Sequence, residues 1–318
     1  MHRRRFLSVL ALSCTGCSRK PPPQRSTPDA AMPTPSQANV FGPTVAGRFY
    51  ADDPGELRES VESFLSAGAK TPPIEPSRRI VALVAPHAGY VYSGPVAGVA
   101  YAAPRSRPVR TVVVLSPSHH GRRPHVCALL ADAYRTPLGQ VPIARTVVEA
   151  LLAPGDLVRE DEALFRPEHA LDVQVPFVQV AFPTARIVPL IVPMMPRERL
   201  VLLGKRLHDA VGADPGALVV ASSDLSHFYD YDEARTIDDA IVSELERKDL
   251  TTVFDKHDAR RGPCGIAPII ATWSYLEEFG EGGVVHRLSV KSSGDTRSEG
   301  RDRVVGYAAL ALSVPWTE

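Results

Sequence analysis

Three histidines and a cysteine stand where short apolar runs give out. His87 follows IVALVAP (80–86), His119 follows TVVVLSPS (111–118) and His227 follows ALVVASSDLS (217–226). Cys264 lies in Pro263-Cys264-Gly265, directly ahead of the apolar segment IAPIIATWSYLEEF. Imidazole nitrogen and thiolate both bind first-row transition metals, and a catalytic centre needs three protein ligands plus an open position. His87, His119 and Cys264 would make such a set, suited to iron or copper, with zinc also possible. The turn places Cys264 at a helix N-terminus, whose partial positive charge favours thiolate over thiol. Asp224 precedes His227 by three residues on the same strand exit. A carboxylate there can orient the ring or raise its basicity, so the pair reads as a proton-transfer group beside the metal or as further ligands. The phenol of Tyr92 could donate a hydrogen bond into the same space. His169 reads equally well as a site residue or as the first residue of a helix. Cys127, inside the apolar run CALL, reads as a buried inert thiol. His120, His125, His208, His257 and His286 carry no functional reading.

These side chains need strand ends to hold them. Five- to seven-residue β-rich runs bounded by Pro and Gly at 80–86, 111–115, 187–192 and 218–222 read as buried strands. Helical spacing follows Asp52-Asp53-Pro54 (Leu57, Val61, Phe64, Leu65), and further helices are expected at 95–103, 146–152, 197–211, 238–246, 251–258 and 266–279. ALDVQVPFVQVAF should start a helix and break at Pro176, and the runs around RLSVKSSGD and VVGYAALAL read as β. Strands alternating with helices along the chain predict a single α/β domain, its sheet mostly parallel or mixed and flanked by helices. Ligand sites of such sheets lie at the carboxyl ends of strands.

The 318 residues carry 36 basic and 36 acidic side chains, so no broad electrostatic surface for nucleic acid is expected. MHRRRFLSVLALSCTGCSRK resembles an export signal: arginines, a short apolar stretch, then small residues and a cysteine. The RRRFL run resembles a twin-arginine signal. Thr15-Gly16-Cys17 resembles a lipoprotein cleavage box, with Cys14 as the competing placement. Residues 1–17 are therefore expected to be a signal that leaves Cys17 lipid-anchored at the cell envelope or in the periplasm, the lipid being the sole membrane attachment. Without export the protein would be cytoplasmic. Residues 18–40, rich in Pro, Ser, Thr and Gln, should form a disordered spacer, and 41–318 the folded domain. Two of the four cysteines belong to the signal, which leaves no disulfide framework.

AGRFYADDP, PHAGYVYSG, LSPSHH, YRTPLG, EHALDVQVPF, VVASSDLSH, CG before a helix, and SSGD followed by VVGYAAL occur in this order, and the series resembles the Memo-like family, also called AmmeMemoRadiSam system protein B. The resemblance implies a fold similar to class III extradiol dioxygenases of the protocatechuate type. It puts His87 and His119 on metal-ligand positions, Cys264 where those dioxygenases have a carboxylate ligand, and His227 on their catalytic histidine with Asp224 beside it. It further implies iron or copper binding with redox activity; a crevice of imidazoles and hydroxyls would alternatively bind a small molecule or a peptide without turnover, and the lipoprotein-like signal suggests a metal-handling protein at the envelope. AMMECR1-like and radical SAM proteins are the partners implied by the family name. Ala170 and Asp172 stand where members often have Ser and Glu. Thiolate in place of carboxylate makes ordinary catechol cleavage a poor expectation for this chain.

Overall fold

The computed structural model describes residues 38–256, 261–297 and 300–316. The first half of the chain contributes β1 (Val40–Phe41), α1 (Pro54–Gly68), β2 (Arg78–Ala85), α2 (Tyr90–Ala102), β3 (Thr111–Pro117), β4 (Val126–Ala128), β5 (Ala133–Thr136), β6 (Gly139–Pro142), α3 (Arg145–Leu152) and β7 (Val158–Glu160). The middle adds α4 (His169–Asp172), α5 (Val175–Ala181), β8 (Arg186–Val192), α6 (Arg197–Leu207), β9 (Ala217–Ser222), β10 (Asp224–Tyr229) and α7 (Tyr231–Glu246). The remainder supplies α8 (Leu250–Lys256), α9 (Ile266–Glu277), β11 (Val284–Ser292), α10 (Ser293–Thr296) and β12 (Val304–Pro315).

Among the described residues, nine strands form one mixed sheet in the order β10-β12-β2-β9-β3-β8-β4-β7, with β11 on the other side of β12. Its centre, β2-β9-β3-β8, is parallel. The residues from Val81 to Ala85, Val112 to Pro117, Ile187 to Val192 and Ala217 to Ser222 are all buried, as expected of parallel strands covered on both faces. β12 runs antiparallel to β2, β10 and β11, and β4 antiparallel to β8, so the sheet is mixed. A second sheet, β1-β5-β6, is separate.

One sequence expectation shifts. Asp224–Tyr229, expected as an exit loop, is strand β10, because β12 offers it an antiparallel partner more than 70 residues away that local reading cannot see. Pro176 breaks the helix as expected, with α4 ending at Asp172, the residue whose carbonyl a helical Pro176 N–H would have met. The interruption falls at Val173-Gln174, and Pro176 itself then lies in the first turn of α5, where its missing N–H costs nothing.

α1 and α2 cross with backbones nearly touching. A Cβ on Gly98 would lie 2.4 Å from the Phe64 carbonyl oxygen, and one on Gly68 would lie 2.4 Å from that of Gly98. Asp172 ties the start of the domain to α4: its carboxylate accepts the N–H groups of Thr44 (3.0 Å) and Val45 (2.8 Å) and the hydroxyls of Tyr50 (2.9 Å) and Tyr134 (2.8 Å). The shorter acid thus has four donors in the interior. The expected signal and most of the expected spacer lie outside the described residues, although Val40 already belongs to β1. Among the described residues no helix is long and apolar enough to cross a membrane.

Candidate metal centre

β2, β9 and β3 are parallel neighbours, so their carboxyl ends open onto one edge of the sheet. His87 comes two residues after β2, His119 two after β3, and Asp224 two after β9. Cys264 reaches them from the turn before α9. Its N–H donates to the Asp224 carbonyl (3.3 Å), while the Asp224 N–H donates to Cys264 Sγ (3.3 Å). The next N–H, of Gly265, donates to Ser223 Oγ (3.0 Å). Only glycine fits there, because a Cβ would stand 2.3 Å from the Ser222 carbonyl oxygen. One nitrogen of His87, one of His119 and the sulfur of Cys264 lie within 4.8 Å of one another.

Hydrogen bonds fix which nitrogens face inward. The Ser222 hydroxyl donates its one hydrogen to the Ala170 carbonyl (2.7 Å) and accepts from the Gln174 amide (2.8 Å). That amide nitrogen also donates to the Pro86 carbonyl, and the Gln174 oxygen accepts from Tyr101. Ser222 Oγ, 2.9 Å from His87 Nδ1, therefore has only acceptor capacity left, so Nδ1 carries the proton. His87 Nε2 is left with its lone pair directed at Cys264 Sγ, 3.2 Å away. On the other side, Glu168 accepts from His119 twice, through Nδ1 (2.9 Å) and the backbone N–H (2.7 Å), and also from the Ala170 N–H (2.9 Å). Burial alone would push the Glu168 carboxyl up, but these donors outweigh it and hold it at about 2. An ionised Glu168 keeps a proton on His119 Nδ1, so Nε2 is the nitrogen turned toward a metal. Two imidazoles with oriented Nε2 lone pairs, each backed by an oxygen on Nδ1, are what a metal-ligating histidine pair requires.

Electrostatics favour a neutral, cation-ready cluster. Burial, followed by the charges of His119 and His227, drives the His87 pKa well down. Burial and then His87 and His119 lower His169 to about 4. Burial also raises the Cys264 thiol, with the negative charge of Asp224 adding to it and hydrogen bonds from Asp224 and Ser223 opposing it only in part. The helix N-terminus therefore does not make a thiolate by itself, contrary to the expectation from sequence, because burial outweighs the dipole. A cation held here would have to displace the thiol proton to solvent on forming its bond to sulfur.

The other anticipated residues take different places. Asp224 is buried and its carboxylate accepts the His87 backbone N–H (2.8 Å), an orienting contact to the main chain of a ligand histidine rather than to the ring of His227. Burial raises its pKa. His227 Nδ1 is buried and has no hydrogen-bond partner. It sits in a distorted stretch of β10, where register with β12 slips on both sides of His227 and Phe228 adopts φ +68°. A bulky residue in that region is strained, and such strain gathers at functional sites. Tyr92 is half-exposed; its hydroxyl accepts from Arg297 Nη1 (3.3 Å), and the guanidinium also lies 5.3 Å from its ring centroid. His169, left open by the sequence, stacks on His119 with centroids 4.7 Å apart and on Phe49 at 4.6 Å. Glu168, Ser222 and Gln174 were not anticipated. Glu168 was the most accessible of the three, since it immediately precedes His169 at a helix start.

The Memo-like protein family profile matches residues 42–311. This chain belongs to the Memo-like family. A MEMO1 family protein of Caldivirga maquilingensis is 34% identical over 280 residues, covering 85% of this chain and 98% of that protein. One from Methanothermobacter thermautotrophicus is 34% identical over 277 residues, covering 85% and 99%. An uncharacterized Escherichia coli K12 protein of known crystal structure aligns at 18% identity and TM-score 0.48, over 74% of this chain and all of that one. In this Memo-like chain the residues at the sheet's carboxyl edge include two histidines and a cysteine able to hold a metal ion.

Proposed function

We propose that this Memo-like protein is a metal-dependent redox protein whose centre is held by His87, His119 and Cys264. The single observation behind this reading is the pinning of both imidazoles through Nδ1, with His87 Nε2 3.2 Å from the Cys264 sulfur and a nitrogen of His119 within 4.8 Å of both. An N,N,S donor set from neutral imidazoles and a thiolate suits iron or copper, and zinc is the competing ion. Bound iron or copper would supply electron transfer and Lewis acidity. The residues then divide the remaining work. Ser222 and Glu168 hold the ligand rings, and Asp224 holds the backbone of His87. His227, with an unpartnered Nδ1 and no competing hydrogen bond, is placed to take or give a proton to a bound molecule. Tyr92 and Phe228 present exposed aromatic surface, each with an arginine over its ring.

Metal content of the purified protein, compared with a His87→Ala, Cys264→Ala variant, tests the centre. Wild type should retain iron or copper that the variant lacks; equal, negligible metal in both would end the proposal. Oxygen consumption or superoxide formation with metal and reductant tests turnover, which His227→Ala should abolish. A second reading, a module that binds a small molecule or peptide without turnover, draws on the exposed apolar side chains Val91, Tyr92, Met194 and Phe228. It predicts ligand binding that survives His227→Ala. The signal-like N-terminus supports placement at the envelope through a lipid on Cys17, testable by mass spectrometry of the membrane fraction; on that reading partners of the AMMECR1-like or radical SAM kind would have to be exported too.

A further inference from the structure

A second convergence of nitrogen, sulfur and oxygen lies at the β7 edge of the main sheet. His125 and Cys127 are two residues apart, bracketing Val126 at the start of β4, so their side chains share a face of the strand. β4 pairs in parallel with β7, which places Cys127 opposite Arg159 and brings in Asp161 just after β7. The N–H of Asp161 donates to the Ala128 carbonyl (3.2 Å), which fixes the carboxylate against β4. One ligand atom from each of His125, Cys127 and Asp161 lies within 4.8 Å of the others, and Cys127 Sγ is 4.0 Å from Asp161 Oδ2. His125 Nδ1 is buried without a hydrogen-bond partner. A buried polar atom left unpaired is a cost that a ligand would remove.

We propose that His125, Cys127 and Asp161 form a second transition-metal site, of the zinc class, that staples the short edge strands β4 and β7. None of its residues belongs to the His87 centre. The mixed N,S,O set is the kind zinc accepts in tetrahedral coordination, with water or solvent in the fourth position. Each ligand is in a suitable state. His125 is held neutral, its pKa lowered by burial and then by Arg159. Burial, with Asp161 adding, pushes the Cys127 thiol up to about 12, so the thiol is protonated until a cation arrives. Capture forms a metal–sulfur bond and releases the thiol proton to solvent, without change of oxidation state. One thiolate and one carboxylate neutralise a divalent ion. Arg123 Nε, 2.7 Å from Asp161 Oδ2, takes one acceptor position of the carboxylate and leaves others available. A cation here would do for two three-residue strands what their few ladder hydrogen bonds do only weakly.

The test uses the full chain with Cys14→Ser, Cys17→Ser, His87→Ala and Cys264→Ala, so that Cys127 is the sole thiol, and Co2+ as the probe. Saturating Co2+ should produce a sulfur-to-cobalt charge-transfer band and raise the melting temperature. Cys127→Ala in this background should remove the band, and His125→Gln or Asp161→Asn should weaken Co2+ binding by roughly tenfold or more. No band at saturation, or a band whose Co2+ affinity is unmoved by both His125→Gln and Asp161→Asn, overturns the site. Should the multiple variant fail to fold by circular dichroism, the comparison is wild type against Cys127→Ala alone: the single variant must lose a thiolate–cobalt contribution, and an unchanged spectrum overturns the proposal.

Discussion

Glu168 holds His119 by two bonds at once, one to the ring at 2.9 Å and one to the backbone at 2.7 Å. The carboxylate sets both the position and the tautomer of that imidazole. Glu168→Gln keeps the shape but offers a single acceptor and an amide group that cannot accept. Metal affinity measured by chelator competition should fall roughly ten- to a hundredfold, with the far-ultraviolet spectrum unchanged. Wild-type affinity in Glu168→Gln would remove Glu168 from the centre.

Ser222, at the end of β9 beside β2, holds the ring of His87 through Nδ1. Ser222→Ala strips the acceptor from the buried His87 Nδ1–H and one acceptor from the Gln174 amide, which keeps the Pro86 carbonyl. The expected cost is about 1–3 kcal/mol of folding stability, read from urea unfolding, along with weaker metal binding. A variant as stable as wild type would contradict the hydrogen-bond network described here.

Because the Cys264 thiol is raised, a captured ion must expel its proton. Apparent metal affinity should therefore climb with pH across the neutral range, by about tenfold per pH unit where one proton is released. Proton release is measurable in weakly buffered solution on metal addition. Affinity independent of pH from 6 to 8 would mean that the sulfur is not a ligand.

Asp238, on α7, accepts the Ser226 N–H at 2.9 Å and so supports β10 next to His227. Burial raises its pKa from 3.8 to about 6, with the Ser226 hydrogen bonds opposing. The folded state thus binds the proton more tightly than the unfolded chain, and stability falls as pH rises through the window between those values. Asp238→Asn cannot ionise. Its melting temperature relative to wild type should shift in the variant's favour from pH 4 to pH 7, by the equivalent of on the order of 2 kcal/mol. A constant difference across that range would refute the assignment.

Gly98→Ala puts a methyl group against the Phe64 carbonyl and should force α1 from α2. The expected loss is about 1–3 kcal/mol in denaturant unfolding. Stability equal to wild type would show that the helices can slide apart without cost.

The parts legible in the sequence were those that depend on local pattern. The apolar runs before His87 and His119 announced parallel strands, and the α/β rule then placed both histidines on one edge. Cys264 was visible because Pro and Gly frame it ahead of an apolar helix. What stayed hidden depends on partners far along the chain. Gln174 reads as an ordinary helix residue until Tyr101, Pro86 and Ser222 surround it. Asp172 reads as a departure until Thr44, Val45, Tyr50 and Tyr134 converge on it. β10 looked like a loop because its partner β12 lies near the other end of the domain. The lowered thiol expected for Cys264 failed for a related reason: a helix terminus can be read locally, and depth of burial cannot.

Cys264 and His87 meet across 177 residues of sequence. A ribosome-bound chain that has made β2 and β3 holds both imidazoles but no sulfur, and the sulfur arrives only with the segment that also caps α9. The third ligand of the proposed centre thus exists only once the Pro263-Cys264-Gly265 turn has been synthesised, and a product truncated before it would lack the sulfur.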